Sequence, residues 1–175
     1  NITEGYAYRL VNKAYPNLSM AVNTENNQMS GIETAESDAQ LWYFEAGATP
    51  GTYYLKNKAT GLYPGNVSTS AVLNADKSDK TTDNGAHAYR LQNMGNGVFA
   101  LVGETGLHCS SSQSYNIVGW GADANATQWY ITANELNDAL EARTKLEELI
   151  GKTEALVNEM AEVKIKGSAL DLTTC

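Results

Sequence analysis

The sequence has few of the residues that mark a disulfide-stapled domain or a metal centre. Two cysteines, Cys109 and Cys175, and two histidines, His87 and His108, occur among 175 residues. Two cysteines do not make a disulfide framework, and isolated histidines lack the clustered ligands of a metal site. We therefore expect a buried Cys109, an incidental thiol at Cys175, no metal and no cofactor. A Cys109–Cys175 bridge and a nucleophilic Cys109 are the less favoured alternatives.

Positive charge and long apolar runs are also scarce. Lysine and arginine total 12 against 20 aspartates and glutamates, and the formal net charge is −8. Binding to a nucleic-acid backbone needs clustered lysine and arginine, so the charge argues against nucleic acid as a partner. No apolar run approaches the roughly 20 residues that span a bilayer, so we expect no membrane-spanning segment.

Signatures of catalytic sites are missing as well. The chain contains no GxSxG, HExxH or paired-cysteine metal motif. A GxGxxA string begins at Gly95, but it leads into a predicted strand and indicates a hairpin turn rather than a nucleotide loop. The acidic run from Asp76 to Asp83 alternates with lysine, which indicates a solvated turn, with a calcium loop as the less favoured alternative. The sequence therefore predicts a non-catalytic domain.

The residues that are present change in kind near residue 132. Residues 1–132 are rich in Tyr, Asn, Gly, Ser and Thr with short apolar runs, a pattern typical of many short strands. Residues 133–166 are rich in Ala, Leu, Glu and Lys, with apolar residues at i, i+3 and i+4. This spacing predicts an amphipathic helix, or a helical hairpin that turns at Gly151. Residues 167–175 resemble an unfinished strand, the first of a following domain.

The first part contains an internal repeat with a period of about 45 residues. Each unit opens with an aromatic residue, has leucine two residues later, and closes with another aromatic residue. The units cover about residues 6–46, 52–95 and 97–132, and their closing aromatics are Trp42, Tyr89 and Trp129. We predict four short strands per unit with the closing aromatics in the core, because three such units around a pseudo-threefold axis close a barrel without sheet edges.

The closing segments resemble a known repeat. Gln40-Leu41-Trp42, His87-Ala88-Tyr89 and Thr127-Gln128-Trp129 resemble the Gln-x-Trp repeats of ricin-type lectin domains. The resemblance covers about residues 6–132 and rests on three copies in register. It implies a mainly β fold, a β-trefoil of three lobes, with sugar binding in shallow pockets, one per lobe. The helical segment then resembles the spacer of large bacterial secreted proteins that process glycans.

The sugar-binding residues of that family are only partly present. The family has an aspartate just after the leucine of the second strand, and the matching positions are about Ala21, Pro64 and Cys109. Its Asn–Gln pair before the closing tryptophan survives only at Gln40. These departures keep two alternatives open. One is a structural or protein-interaction trefoil with degenerate sugar sites, and the other is a protease inhibitor that uses an exposed loop.

A Gly/Ser-rich stretch of the third unit carries the most specific site hypothesis. Glycines flank Trp120 on both sides and leave its ring accessible for stacking on a sugar. Asn116 and Asp123 would supply hydrogen-bond partners, and Tyr115 a further aromatic face. Together with Gln40, these are the predicted carbohydrate-binding residues. The alternative is that Trp120 caps the open end of the barrel.

The helical segment has an apolar stripe that must pack on the barrel, on a second helix or on a partner. A linker between domains is the favoured interpretation, and a coiled coil is the alternative. We therefore predict a non-catalytic carbohydrate-binding accessory module of a secreted or surface multidomain protein. Its predicted partners are an unidentified glycan and neighbouring domains. Its predicted location is extracellular or at the cell surface, with the periplasm as the alternative.

Overall fold

The computed structural model describes the backbone of residues 1–173 and the side chains of residues 1–134 and 142–161. Residue contacts divide the chain into two units, Asn1–Asn134 and a second unit that begins at Glu135. The first unit contains ten strands, and the second is one helix. The predicted mainly β fold with a C-terminal helix is therefore confirmed. The predicted thiol at Cys175, and the alternative bridge to it, lie outside the described residues.

Ten short strands follow one another along the first unit. They are β1 (Ala7–Asn12), β2 (Leu18–Val22), β3 (Met29–Glu33), β4 (Trp42–Ala46), β5 (Thr52–Asn57), β6 (Tyr89–Gly95), β7 (Val98–Val102), β8 (Gly106–Ser110), β9 (Asn116–Trp120) and β10 (Gln128–Ala133). Three 3₁₀ turns lie between them, at Asp38–Gln40, Ser111–Gln113 and Asn125–Thr127. Many short strands joined by turns are what the residue composition predicts.

Six of these strands close a barrel. β1 pairs with β10 and β4, β5 pairs with β4 and β6, and β7 pairs with β6 and β10, all antiparallel. A closed ring leaves no free sheet edge, which is the expected advantage of this arrangement. The hairpins β2–β3 and β8–β9 lie outside the ring and meet each other where Ser30 pairs with Asn116.

The second repeat unit departs from the predicted four strands. Between β5 and β6 the described chain has isolated bridges in place of strands, such as Tyr63 with Lys77 and Val72 with Val118. Pro64 lacks the backbone N–H that a ladder needs, and the Asp- and Asn-rich residues after it are poor strand formers. The domain therefore has ten strands rather than twelve.

The closing aromatics of the three units occupy equivalent core positions. Trp42, Tyr89 and Trp129 are each 0% exposed, as the repeat predicts. Each one donates a hydrogen bond to a backbone carbonyl. Trp42 Nε1 bonds Met20 O at 3.0 Å, Trp129 Nε1 bonds Leu107 O at 2.9 Å, and the Tyr89 hydroxyl bonds Gly65 O. These bonds satisfy the polar atom of each buried ring, and the two tryptophan bonds mark equivalent points on the first and third repeat units.

The GxGxxA string is a hairpin turn, as predicted. Gly95, Asn96 and Gly97 join β6 to β7 with φ angles of 85°, 53° and 78°. Glycine and asparagine adopt this left-handed region at the lowest cost, which explains their place here.

One helix, α1 (Glu135–Thr173), forms the second unit. It runs through Gly151, so of the two predicted alternatives the single helix is the one observed, and it also runs through Gly167, where the sequence predicted that the helix had ended. A glycine costs a helix about 1 kcal/mol, which the Ala-, Leu- and Glu-rich turns around it can offset. The predicted unfinished strand is thus helical up to Thr173, and the last two residues lie outside the described chain. Among the described residues, no helix is apolar over a length that could cross a membrane.

Candidate functional site

The five residues predicted to bind carbohydrate lie in three places. Trp120 and Asp123 lie at and just beyond the end of β9, whereas Tyr115 and Asn116 lie at its start. A strand rises about 3.3 Å per residue, so the Cα atoms of Tyr115 and Trp120 are about 16 Å apart. Gln40 belongs to the first repeat unit and is 1% exposed. The structure therefore brings only Trp120 and Asp123 to the same end of β9.

Gln40 uses its side-chain amide within the fold. Its Oε1 accepts hydrogen bonds from Arg9 Nη1 at 2.8 Å and from Ala35 N at 3.0 Å. Its Nε2 donates to Glu33 O at 3.0 Å. A buried amide that is bonded through both of its polar atoms holds the segment after β3 against the barrel. We therefore assign Gln40 to the fold and not to a ligand site.

Tyr115 presents a separate surface at the start of β9. Its ring meets the ring of Tyr15 edge to face, with 5.2 Å between centroids. Ser114 and Tyr115 both have left-handed backbone angles, with φ of 56° and 61°. Such angles are costly for a bulky side chain, and hydrogen bonds from Tyr115 N to Ser110 O and from Gly31 N to Tyr115 O hold them. The strain thus belongs to the tight β8–β9 connection.

Trp120 presents its ring on the outer side of the β8–β9 hairpin, beside His108. The tryptophan is 46% exposed, and its ring centroid lies 6.0 Å from that of the imidazole, with a 41° tilt. His108 pairs with Val118, so His108 and Trp120 are diagonal neighbours on one face of the hairpin. β9 belongs to a hairpin outside the six-stranded ring, and the 46% exposure of Trp120 favours a surface position over a cap on the barrel. The two rings form a surface open to solvent.

A hydrogen bond to a buried side chain holds the His108 ring in place. Its Nδ1 and the Thr127 hydroxyl are 2.8 Å apart, and Thr127 is 0% exposed. Burial lowers the pKa of His108 below its ordinary value, so the imidazole is neutral at neutral pH. A neutral imidazole held through one nitrogen can offer its other nitrogen, Nε2, to a ligand hydroxyl.

The loop that carries Asp123 is also held in place. The buried Gln128 donates through Nε2 to Ala122 O at 3.1 Å and to Asp123 O at 3.4 Å. Its Oε1 accepts from Lys13 Nζ at 3.0 Å. The exposed Asp123 side chain therefore projects from an anchored loop three residues after Trp120. Its carboxylate can accept paired hydroxyls of a sugar.

The sequence analysis missed His108 because it matched the wrong positions. Trp42 and Trp129 bond the carbonyls of Met20 and Leu107 at the same sequence separation, so the residues that follow these carbonyls, Ala21 and His108, are equivalent, rather than Ala21 and Cys109. The alternation of apolar Leu107 and Cys109 around His108 is the signal that places His108 on the outer face.

Cys109 does not have the character of a nucleophile. It is 0% exposed, and burial raises the pKa of its thiol to about 11. The thiolate that attacks an electrophile is therefore scarce at neutral pH. Within residues 1–134 and 142–161, no three His, Cys, Asp or Glu side chains come together in a way that could hold a metal ion.

The first two repeat units have no counterpart of the Trp120 surface. Ala21 is 1% exposed. The Asn66 carbonyl Oδ1 accepts from Glu104 N at 3.1 Å and from Val67 N at 3.0 Å, so this side chain is engaged in joining the second unit to the third. Only the third unit combines an outward polar side chain with a half-exposed tryptophan.

Acidification is expected to destabilise the fold through its two histidines. Burial lowers the pKa of both His87 and His108, so the folded state favours the neutral imidazoles. The unfolded chain takes up protons near its ordinary histidine pKa of about 6.5. The free energy of unfolding should therefore be highest above about pH 6.5 and fall as the pH drops towards the folded-state pKa values. Urea unfolding between about pH 7.5 and about pH 5 measures this fall.

The matched control for this prediction is the double variant His87→Gln/His108→Gln. Its free energy of unfolding should change less with pH than that of the parent protein over the same interval, because glutamine does not titrate. An equal fall in both proteins would contradict the assignment of the pH dependence to the histidines.

Comparison with known proteins finds similarity through structure alone. No family model matches the chain, and no curated protein does. The designed 3-fold symmetric protein ThreeFoil is 18% identical with a TM-score of 0.62, over 72% of this chain and 97% of that chain. The Macrolepiota procera ricin B-like lectin in complex with lactose is 15% identical with a TM-score of 0.56, over 75% and 97%.

A larger protein also contains a similar domain. The GlcNAcα1-4Gal releasing endo-β-galactosidase from Clostridium perfringens is 16% identical with a TM-score of 0.60, over 74% of this chain and 32% of that chain. Identities this low show the fold and nothing further. The chain shares the β-trefoil fold of these structures.

Proposed function

We propose that this chain is a carbohydrate-binding module whose site is the outer face of the β8–β9 hairpin. The single observation that carries the proposal is the half-exposed Trp120 ring beside a fixed His108. An aromatic face stacks on the C–H groups of a sugar ring. His108 and Asp123 bind the hydroxyls at the edge of that ring. The site is a shallow surface rather than an enclosed pocket.

We interpret the three repeat units as three trefoil lobes, of which only the third retains this site. The buried Ala21 supports a degenerate site in the first lobe, and the hydrogen bonds that Asn66 makes within the fold support the same interpretation of the second. The lactose complex of the ricin B-like lectin supports the class of ligand, because that protein shares this fold. The choice of glycan depends on contacts between the protein surface around Trp120 and sugar residues other than the one that stacks on Trp120.

The role we propose is that of a non-catalytic accessory module in a secreted or surface multidomain protein. Support comes from the endo-β-galactosidase, in which a similar domain is about a third of the chain. α1 would connect the module to a neighbouring domain. An extracellular or cell-surface location, or a periplasmic one, follows from the glycan ligand. The second candidate is a structural or protein-interaction trefoil, which the two degenerate lobes favour.

A glycan array tests the proposal directly. The parent protein, Trp120→Ala and the control Tyr130→Ala are applied side by side, since Tyr130 is a 40% exposed aromatic on β10. We expect saturable binding by the parent and by Tyr130→Ala. Binding by Trp120→Ala should be at least about tenfold weaker, which corresponds to about 1.4 kcal/mol of lost stacking.

Two results would overturn the proposal. Silence across a broad array, with the protein shown to be folded by its near-UV spectrum, would leave the structural or interaction trefoil as the better account. Equal binding by Trp120→Ala and the parent would place the glycan site on another part of the domain.

A further inference from the structure

A pocket that the proposed glycan site does not use lies at one end of the barrel, which we call its base. At this end β1, β5 and β7 begin. Its volume is about 270 Å³, and inward side chains of the barrel strands line it, among them Tyr8, Tyr53, Leu91, Phe99 and Ile131. Tyr8 is buried and the other four are half-buried, so the pocket opens to solvent at this end of the barrel. It lies within the unit Asn1–Asn134, away from the β8–β9 hairpin.

Unequal side chains at matched positions create this pocket. Two residues after each closing aromatic, the three repeat units have Phe44, Leu91 and Ile131. Phe44 is 1% exposed and packs edge to face against Tyr8 at 5.4 Å and Tyr53 at 5.8 Å between ring centroids. Leucine and isoleucine are smaller than phenylalanine. In the first repeat unit the phenyl ring of Phe44 fills this space. In the second and third repeat units the smaller Leu91 and Ile131 leave the corresponding space open.

The lining has the chemistry of a site for a small apolar molecule. Three aromatic rings, those of Tyr8, Tyr53 and Phe99, border the pocket. Aliphatic side chains complete most of the lining, and Asn1 and Asn93 add polar groups to it. The Tyr8 hydroxyl accepts a hydrogen bond from Thr3 N at 2.7 Å and keeps its own proton to donate. One polar group on a ligand can thus be satisfied here.

We propose that this pocket binds a small neutral molecule with one or two aromatic rings and one or two polar groups. An engineered apolar cavity of about 150 Å³ accepts benzene in another protein. The pocket of about 270 Å³ has room for a second fused ring. An aromatic ring fits this lining better than a sugar does, because three aromatic rings and three aliphatic side chains face the pocket against two asparagines.

The test uses 1-naphthol as the probe and Ile131→Phe as the filled variant. Phenylalanine at residue 131 repeats the arrangement of Phe44, so the pocket should be occupied by the protein itself. The matched control is Ile32→Phe, which makes the same change at a 42% exposed residue of β3. We expect the parent and Ile32→Phe to bind 1-naphthol equally, and Ile131→Phe to bind at least about tenfold more weakly. The Tm of Ile131→Phe should also rise by about 2–4 °C.

A second measurement decides the question if Ile131→Phe does not fold. In the parent protein, nuclear Overhauser contacts should connect the naphthol ring protons to the methyl groups of Leu91 and Ile131. Contacts to Trp120 instead, no saturable binding by the parent, or equal binding by a folded Ile131→Phe would each overturn the proposal. None of these results bears on the glycan site, whose own test is loss of glycan binding in Trp120→Ala.

Discussion

Replacing Trp129 by alanine should destabilise the fold by about 3–5 kcal/mol, a large part of the stability of a domain of this size. The ring is 0% exposed and packs in the barrel core. Its removal leaves a cavity and also takes away the hydrogen bond from Nε1 to Leu107 O. The carbonyl of Leu107 would then be without its donor, which adds to the cost of the cavity. Urea unfolding measures the change.

The same chemical change at Trp120 is the matched control. Because Trp120 is 46% exposed, its replacement by alanine should cost less than about 1 kcal/mol. Trp129→Phe should fall between the two, since it keeps a six-membered ring but loses the N–H donor and part of the buried surface. Similar losses in Trp129→Ala and Trp120→Ala would contradict the assignment of one tryptophan to the core and the other to the surface.

Gly119→Ala should be nearly as disruptive, although it adds a single methyl group. A Cβ at this position would lie 2.2 Å from Ser68 O and 2.2 Å from Thr105 Oγ1. The hydrogen bond from Ser70 N to Gly119 O holds the backbones of the two segments together at this point. β9 would have to shift, at a cost of about 3 kcal/mol, the upper part of the usual range for overpacking. Since Trp120 is the next residue, glycan binding should weaken too.

Gly121→Ala is the control for this prediction. Nothing lies within 4 Å of a Cβ at Gly121, so alanine should change the free energy of unfolding by less than about 0.5 kcal/mol. Both variants flank Trp120, and both are measured by urea unfolding and by glycan titration. Equal tolerance of alanine at residues 119 and 121 would contradict the close packing of β9 against Ser68 of the second repeat unit.

The features that the sequence predicts well are those with a local cause. The closing aromatics Trp42, Tyr89 and Trp129 repeat at a fixed period, and a side chain that recurs in this way points into the core. The Gly-Asn-Gly turn before β7 follows from backbone angles that few other residues adopt. The change from strands to helix near residue 134 follows a change in residue composition.

The features that the sequence does not predict depend on which segments meet. Alternation places His108 on an outer face, but the contact with Trp120 depends on the β8–β9 register, and Thr127 lies 19 residues away. Tyr115 and Trp120 are close in sequence, but the length of β9 separates them, because an extended strand places its two ends far apart. The pocket at the base of the barrel depends on comparing side-chain sizes across different strands.

The most direct test of the central claim is an NMR measurement on the parent protein with the strongest glycan from the array. Nuclear Overhauser contacts from the sugar ring protons should reach the Trp120 indole and the His108 imidazole. Both rings lie on the outer face of the β8–β9 hairpin. Contacts to Tyr15 and Tyr115 instead, or to residues of the first two repeat units, would contradict the account.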